Sequence, residues 1–359
     1  MPIPAVFRDQ VQPDDDGNLT YHPYRVEKWP LTQVYFEYGN GQRISLTDRP
    51  NPTKPGFVLQ SGPDGWDMPR FDLKYDESPN LDGGMFRSVR ATAREMAIPI
   101  FIYGADRRGV ASLKKKLLTS VNPKNGPVRI VVREGGGSSR YIDAYYNSGL
   151  EGQESRDQAG FTWIKYVMTF RALDPYWTVT DPTKITWALK PERYWFLTTT
   201  AEDEANDPSL PAHHSFLPIR ISDGIIQSEL NEIEMDSDVE VWPIWEITGP
   251  LSGNVVFRND TTGKELKFKS SFSLATEKDR LTIDTRAGRK TITYQRLEEV
   301  GGEWKVTNEE NWWPKLGDNP QLWPLVPGVN LVSVLNGQAP STTTRVSCTY
   351  YKQYFSYTG

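Results

Sequence analysis

The stretch TWIKYVMTFRALDP, residues 162–175, decides the fold class. Ile164, Tyr166, Met168, Phe170 and Ala172 fall on every second position. Trp163, Lys165, Thr169 and Arg171 fall between them, with Val167 the one apolar exception. A strand points successive side chains to opposite faces, so this period of two predicts a β-strand with one face in a core. Pro175 lacks the backbone N–H that a ladder needs and ends the segment.

Outward from this strand the same grammar recurs. Residues 128–133, 141–146, 239–248, 255–258, 265–269, 281–284, 290–296, 330–335 and 345–351 also read as short strands. The chain carries 28 glycines and 27 prolines at close intervals, as all-β sandwiches and barrels do. Gly135, Gly136 and Gly137 lie between two of these runs and read as a hairpin loop rather than an anion cradle. Val346, Cys348 and Tyr350 share a face of the last strand, which makes Cys348 a small buried hydrophobe. One segment is helical: Asp106 is placed as N-cap, Val110, Leu113, Leu117, Leu118 and Val121 recur at helical spacing, and Asn122-Pro123 stops it. Its other face carries Arg107, Arg108, Lys114, Lys115 and Lys116. Such a face suits water, a neighbouring subunit of a ring, or anionic lipid or phosphate.

A chain of 359 residues exceeds one ordinary core and predicts two domains, 1–186 and 187–359. Residues 46–69, rich in proline and glycine, read as an arm, and 190–235 as an irregular lead-in to the second domain. The net charge of -5, with both signs mixed, argues against a dedicated nucleic-acid binder. A single cysteine permits no internal disulfide and no cysteine-based zinc site. No secretory leader and no run of apolar residues long enough for a membrane span is visible, so synthesis in a cytoplasm is expected.

Catalytic signals are scarce. Of the three histidines, His22 stands alone, and His213 and His214 are adjacent, so on an extended segment they point apart and suit no metal. No nucleophile elbow, phosphate loop or zinc-protease motif occurs. A carboxylate pair for glycoside hydrolysis is a matter of spatial separation, and none is assigned. The expectation is therefore no enzyme, no cofactor and no metal. The aromatic loop NWWPKLGDNPQLW, residues 311–323, offers Trp312, Trp313 and Trp323 among prolines. Two readings stand for it, packing within the domain or against a neighbour, and stacking on carbohydrate.

Two blocks together resemble a known family. The first is ADRRGVASLKKKLLTSVNPKNGPVRIVVREGGGSSRYIDAYYNSGLEG followed by WIKYVMTFRALDPYW. The second is DVEVWPIWEITGPLSGNVVFRNDTTGKELKF, then DRLTIDTRAGRKTIT and LWPLVPGVNLVSV. In order and spacing they resemble the distal tail proteins of long-tailed bacteriophages, over roughly residues 80–180 and 235–335. The resemblance implies a mainly β fold. It comprises an N-terminal tail-tube-like β-barrel or sandwich with one flanking helix, and a C-terminal galectin-like β-sandwich. It implies a structural virion protein at the tail tip, typically a ring of six copies. Its implied partners are the tail tube protein, the tape measure protein and the tail-tip hub, with DNA passing through the lumen. It also implies that the outer sandwich, in some relatives, contacts host sugars. Residues 1–70 and 190–235 match nothing in the family pattern.

Overall fold

Trp163–Ala172 forms a strand in which Ile164, Tyr166, Met168, Phe170 and Ala172 are all buried, while Lys165, Val167 and Arg171 are exposed. The computed structural model describes residues 10–13, 19–22, 32–39, 41–47, 55–77, 79, 82–135, 138–152, 159–189, 226–227, 231–336 and 343–358. His213, His214, Gly136, Gly137, residues 48–54 of the arm and nearly all of the lead-in lie outside them. The chain divides into two units, Met1–Thr180 with Tyr354–Gly359, and Asp181–Gln353.

The first unit carries β1 (Gln33–Tyr38), β2 (Gln42–Ser45), β3 (Gly56–Leu59), β4 (Phe71–Glu77), β5 (Gly84–Ala91), β6 (Arg94–Tyr103), α1 (Arg107–Ser120), β7 (Val128–Arg133), β8 (Ser139–Ser148), β9 (Trp163–Ala172) and β10 (Trp177–Val179). One antiparallel sheet runs β2-β1-β7-β8-β9-β6-β3, with β10 added to β8. The amide of Leu59, at the end of β3, donates to the carbonyl of Leu46, just past β2, at 2.6 Å. The two edges therefore meet and the sheet curls on itself around a core of Phe36, Ile98, Ile100, Ile130, Met168 and Phe170. Closure of this kind removes exposed sheet edges.

Asp106 caps α1, its side chain accepting from the Gly109 amide at 2.6 Å. Val110, Leu117 and Val121 enter the core and Leu113 packs against it. Leu118, expected on the same apolar face, is exposed. It follows Leu117 by one residue, about 100° around the helix, outside a stripe this narrow.

The C-terminal residues complete this first unit. The Arg94 guanidinium, 3% exposed, donates to the carbonyls of Pro175 (2.7 Å), Gly65 (3.0 Å), Asp67 and Phe355 (2.7 Å). Arg140 donates to the carbonyl of Ser356 at 2.7 Å and lies 3.7 Å from the Tyr354 ring. Tyr357 packs edge-on to Trp66 and tilted against Trp177, whose indole N–H donates to the Trp66 carbonyl.

The second unit carries β11 (Thr183–Ala188), β12 (Asn231–Met235), β13 (Ile244–Thr248), β14 (Val256–Asn259), β15 (Lys264–Lys267), β16 (Asp279–Asp284), β17 (Thr291–Val300), β18 (Glu303–Asn311), β19 (Gly328–Asn336) and β20 (Arg345–Tyr350). One antiparallel sheet runs β11-β20-β13-β16-β17-β18, and another places β19 between β14 and β12 with β15 beyond β14. Alternate residues of both enter a shared core that includes Trp245, Ile247, Phe257, Ile283, Val334 and Cys348, the arrangement of a β-sandwich. Burial pushes the Cys348 thiol far up, which leaves it inert. The strand expected over 239–248 begins only at Ile244, because Pro243 interrupts it and Val241 makes a single bridge to Leu325. Strand β18 has no counterpart in the sequence reading. Its signal is Gly301-Gly302, both at positive φ, the two-residue turn that hairpins favour.

Candidate interaction surfaces

Three surfaces stand out. The first is the β4–β5 hairpin, a two-stranded sheet of its own within the first unit. Its register sets Phe71 opposite Ala91, Leu73 opposite Val89 and Tyr75 opposite Phe86, so these six share one face. The other face is mostly charged, with Asp72 paired to Arg90 and Asp76 to Arg87, and carries one exposed apolar side chain, Met85, opposite Asp76. The apolar face is open: Leu73 is 58% exposed, Tyr75 58% and Phe86 63%. A two-stranded ribbon is marginally stable alone in water, and contiguous apolar patches of a few hundred Å² mark contact sites. Phe71, at the ribbon's base, meets Phe355 at 6.1 Å, which ties the hairpin to the C-terminal tail.

The second surface is the outward face of β3, β6 and β9. Register places Val58 beside Phe101, Tyr103 beside Trp163, and Pro99 beside Val167. Phe101 stacks on both Tyr103 (6.3 Å) and Trp163 (5.8 Å), and Val167 is exposed. A face expected to be polar therefore carries an aromatic stack with Lys165 and Arg171 beside it. The basic face of α1 lies elsewhere on the unit. Arg107, Arg108, Lys115 and Lys116 are exposed there, whereas Lys114 is half-buried over the Tyr166 ring at 5.7 Å.

The third is the aromatic loop of the second unit, and the structure separates its three tryptophans. Trp312 is 6% and Trp323 2% exposed, against 36% for Trp313. Trp312 stacks on Tyr294 with ring centres 4.6 Å apart and meets Phe272 edge-on, and its indole N–H donates to Glu310 at 3.2 Å. A bond from Asn308, this one from Trp312 and the nearby Lys315 hold the Glu310 carboxyl below its ordinary range. Trp323 packs on Trp245 at 5.1 Å. Neither offers a ring to a ligand, so no three-tryptophan platform exists. Trp313 opens a short 3-10 turn, Trp313–Lys315, and its amide donates to Asn311 at 3.0 Å. The loop is pinned to the chain after β15: the Lys269 amide donates to the Lys315 carbonyl (2.9 Å) and the Gly317 amide to that of Lys267 (2.8 Å). Asn319 takes a positive φ of 53°, which turns the chain back toward Trp313. Trp313, Pro320, Gln321 and Leu322 then line a cleft of about 430 Å³ with Lys264 and Lys290.

Among the described residues no group of three or more histidine, cysteine or acidic side chains is placed to hold a metal. No helix among them is long and apolar enough to cross a membrane.

A curled sheet with one helix, followed by an antiparallel sandwich, is the fold of the distal tail, or Dit, proteins of phages. The structure that carries this likeness is the Dit protein of phage SPP1, described as a paradigm of the hub adsorption apparatus in phages that infect Gram-positive bacteria. It aligns with 89% of this chain and 99% of its own, with a TM-score of 0.55 and 13% identity. Two structures of the phage p2 baseplate in its activated conformation, one with Sr and one with Ca, align over 89% of this chain and 98% of theirs. Their TM-score is 0.45 and their identity 13%. No family model matches the sequence, and no curated protein matches it.

Proposed function

We propose that the chain is a non-enzymatic structural hub of a phage tail, built as a closed ring of copies at the tail tip. The observation that carries this reading is the pairing of two different apolar faces on one unit, the β4–β5 ribbon and the outward face of β3, β6 and β9. A contact between unlike faces of identical chains is heterologous, and it closes into a ring when the rotation permits. The shared fold with a protein described as a hub supports the same reading. Six copies is the number the family resemblance implies. In this reading the ring meets the tail tube protein on one side and the tail-tip hub on the other, around the tape measure protein. Its lumen passes DNA without holding it, which a net acidic chain favours over a basic one. The exposed basic face of α1, with Arg107, Arg108, Lys115 and Lys116, meets a neighbouring subunit or ring.

Light scattering coupled to size exclusion, with negative-stain micrographs, tests the ring. The expected particle is annular, with a mass several times that of one chain. A chain that stays monomeric at high concentration, alone and with tube protein, refutes it.

A second reading is that the outer sandwich also takes host-surface carbohydrate. The half-exposed Trp313 beside an open cleft supports it.

A further inference from the structure

We infer that the Trp313 cleft is a site for an acidic saccharide, one whose pyranose rings carry carboxylate or phosphate. This rests on the second reading above and names the class of sugar. The cleft's volume, about 430 Å³, falls within the range of small-ligand sites, roughly 300–1,000 Å³. Its lining combines the three elements such a ligand needs. Trp313 supplies a flat apolar ring against the C–H face of a sugar. Gln321 supplies a donor and an acceptor for hydroxyls. Lys264 and Lys290 supply two ammonium groups, and neither has an ion-pair partner among the described residues.

Two uncompensated cations in one cleft are notable on a chain of net charge -5. Within the same unit, Lys267 pairs with Glu265 and Arg286 with Asp284, whereas the two cleft lysines have no carboxylate beside them among the described residues. Lys290 rests with its ammonium 5.1 Å from the Trp242 ring centre, a cation–π contact that steadies it and leaves its donors available to an anion. Lys264 begins β15, directly after the hairpin turn at Gly263, and the Trp313 loop is bonded to the chain just beyond that strand. The cleft is therefore held by main-chain bonds and by Pro314 and Pro320, so little ordering opposes binding. A free phosphate uses the lysines and leaves the tryptophan idle, and a neutral sugar does the reverse. Only a ligand with both properties engages the whole lining.

The test is calorimetric titration of the full chain with three probes: tetragalacturonate, neutral galactotetraose, and inorganic phosphate. Tetragalacturonate is expected to bind about tenfold more tightly than either other probe, a gap of one decade in Kd. The gap should close near 1 M salt, where the screening length is about 3 Å. Lys264→Gln with Lys290→Gln should bring tetragalacturonate down to galactotetraose, and Trp313→Ala should weaken both sugars. Trp313→Phe should restore most of that loss, and unchanged thermal midpoints show that the sandwich is intact. Equal binding of the two sugars overturns the inference and leaves the carbohydrate reading standing. Binding of phosphate equal to tetragalacturonate overturns it in favour of a plain anion patch. No binding of either sugar at millimolar concentration removes both.

Discussion

Replacing Arg94 with methionine should uncouple the C-terminal tail from the first unit. The perturbation keeps side-chain length and removes a buried fork of donors. Arg94 spans four backbone carbonyls from three separate segments: those of Gly65 and Asp67, of Pro175, and of Phe355, the last 261 positions away in sequence. Burial draws its pKa down to about 10, with Asp67 and Asp174 opposing the shift, so it stays charged at neutral pH. A hydrogen bond from a charged donor contributes about 1.5–3 kcal/mol net. The four acceptors belong to half-buried or exposed residues, so water replaces part of the loss, and removing a buried charge returns some desolvation energy. About 3 kcal/mol of destabilisation is the expected balance. With a urea slope of roughly 3 kcal/mol/M for a unit of this size, the first unit's midpoint falls by about 1 M. The readout must be local, because two units need not unfold together. Amide hydrogen exchange of β6 and β9, followed against β13 and β16, supplies it. Carboxypeptidase should trim the variant's tail faster. Arg94→Lys should recover little, because a single ammonium cannot reproduce the planar fork. A midpoint shift below about 0.3 M, or equal loss of protection in both units, refutes the assignment of Arg94 as the tail's anchor.

Two further outcomes follow from the second unit. Trp312→Ala should cost about 3–5 kcal/mol in chemical denaturation, the range for deleting a buried aromatic, whereas Trp313→Ala should cost less than about 1 kcal/mol. The Asp279–Tyr294 pair should shape the pH profile of this unit. Burial disfavours the Asp279 carboxylate, but hydrogen bonds from Tyr294 (2.7 Å) and Thr276, with Arg296 nearby, outweigh it and lower its pKa. Its stabilisation is therefore present above the ordinary carboxylate pKa of about 3.9 and lost as pH falls through the lower folded value. Burial and the same bond raise Tyr294 to about 12, so its stabilisation holds below its ordinary value near 10 and is lost as pH rises toward 12. Tyr294→Phe should flatten both limbs in thermal melts recorded across pH.

The parts of this fold that were legible in the sequence are those whose chemistry is local. Strand β9 announces itself because its two faces differ residue by residue and one faces a core. Helix α1 does so because Asp106 and Asn122-Pro123 bracket it. The β4–β5 ribbon is not legible in this way, although Phe71, Leu73 and Tyr75 alternate with charge. A strand whose apolar face is uncovered in the single chain supplies the same pattern as a loop with scattered aromatics. Arg94 and Arg140 carry no local mark of their role, since their acceptors are backbone carbonyls far along the chain. The Trp313 cleft needed three segments, around residues 264, 290 and 313–322, brought together by the sandwich. By residue type and spacing alone the three tryptophans have equal standing. Burial alone separated Trp312 and Trp323, whose neighbours Tyr294 and Trp245 lie on other strands.

The hairpin face and the outward face of β3, β6 and β9 make opposite predictions depending on how they are used. If two ribbons stack face to face, the contact is self-complementary and stops at a dimer; if a ribbon seats on the other face, it propagates around an axis. The six ribbon side chains expose roughly 500 Å²: about half of each of the three aromatics, at the 150–250 Å² that such a ring can bury, and smaller areas from Leu73, Val89 and Ala91. At about 25 cal/mol per Å² that is ~12 kcal/mol gross. Association costs are of similar size, so a single contact is weak and closure of the ring supplies cooperativity. Leu73→Asp with Phe86→Asp spoils the ribbon, and Val167→Asp spoils the other face; each variant alone should fail to form rings. Mixed in equal amounts they retain one sound contact between them, the intact ribbon of the Val167 variant against the intact sheet face of the ribbon variant. Because that lone contact is weak, sedimentation velocity should show a mixed dimer growing in only as concentration is raised, and nothing larger. Dimers of the Val167 variant by itself indicate ribbon-on-ribbon stacking, and rings that still form from either variant alone exclude the substituted face from the contact.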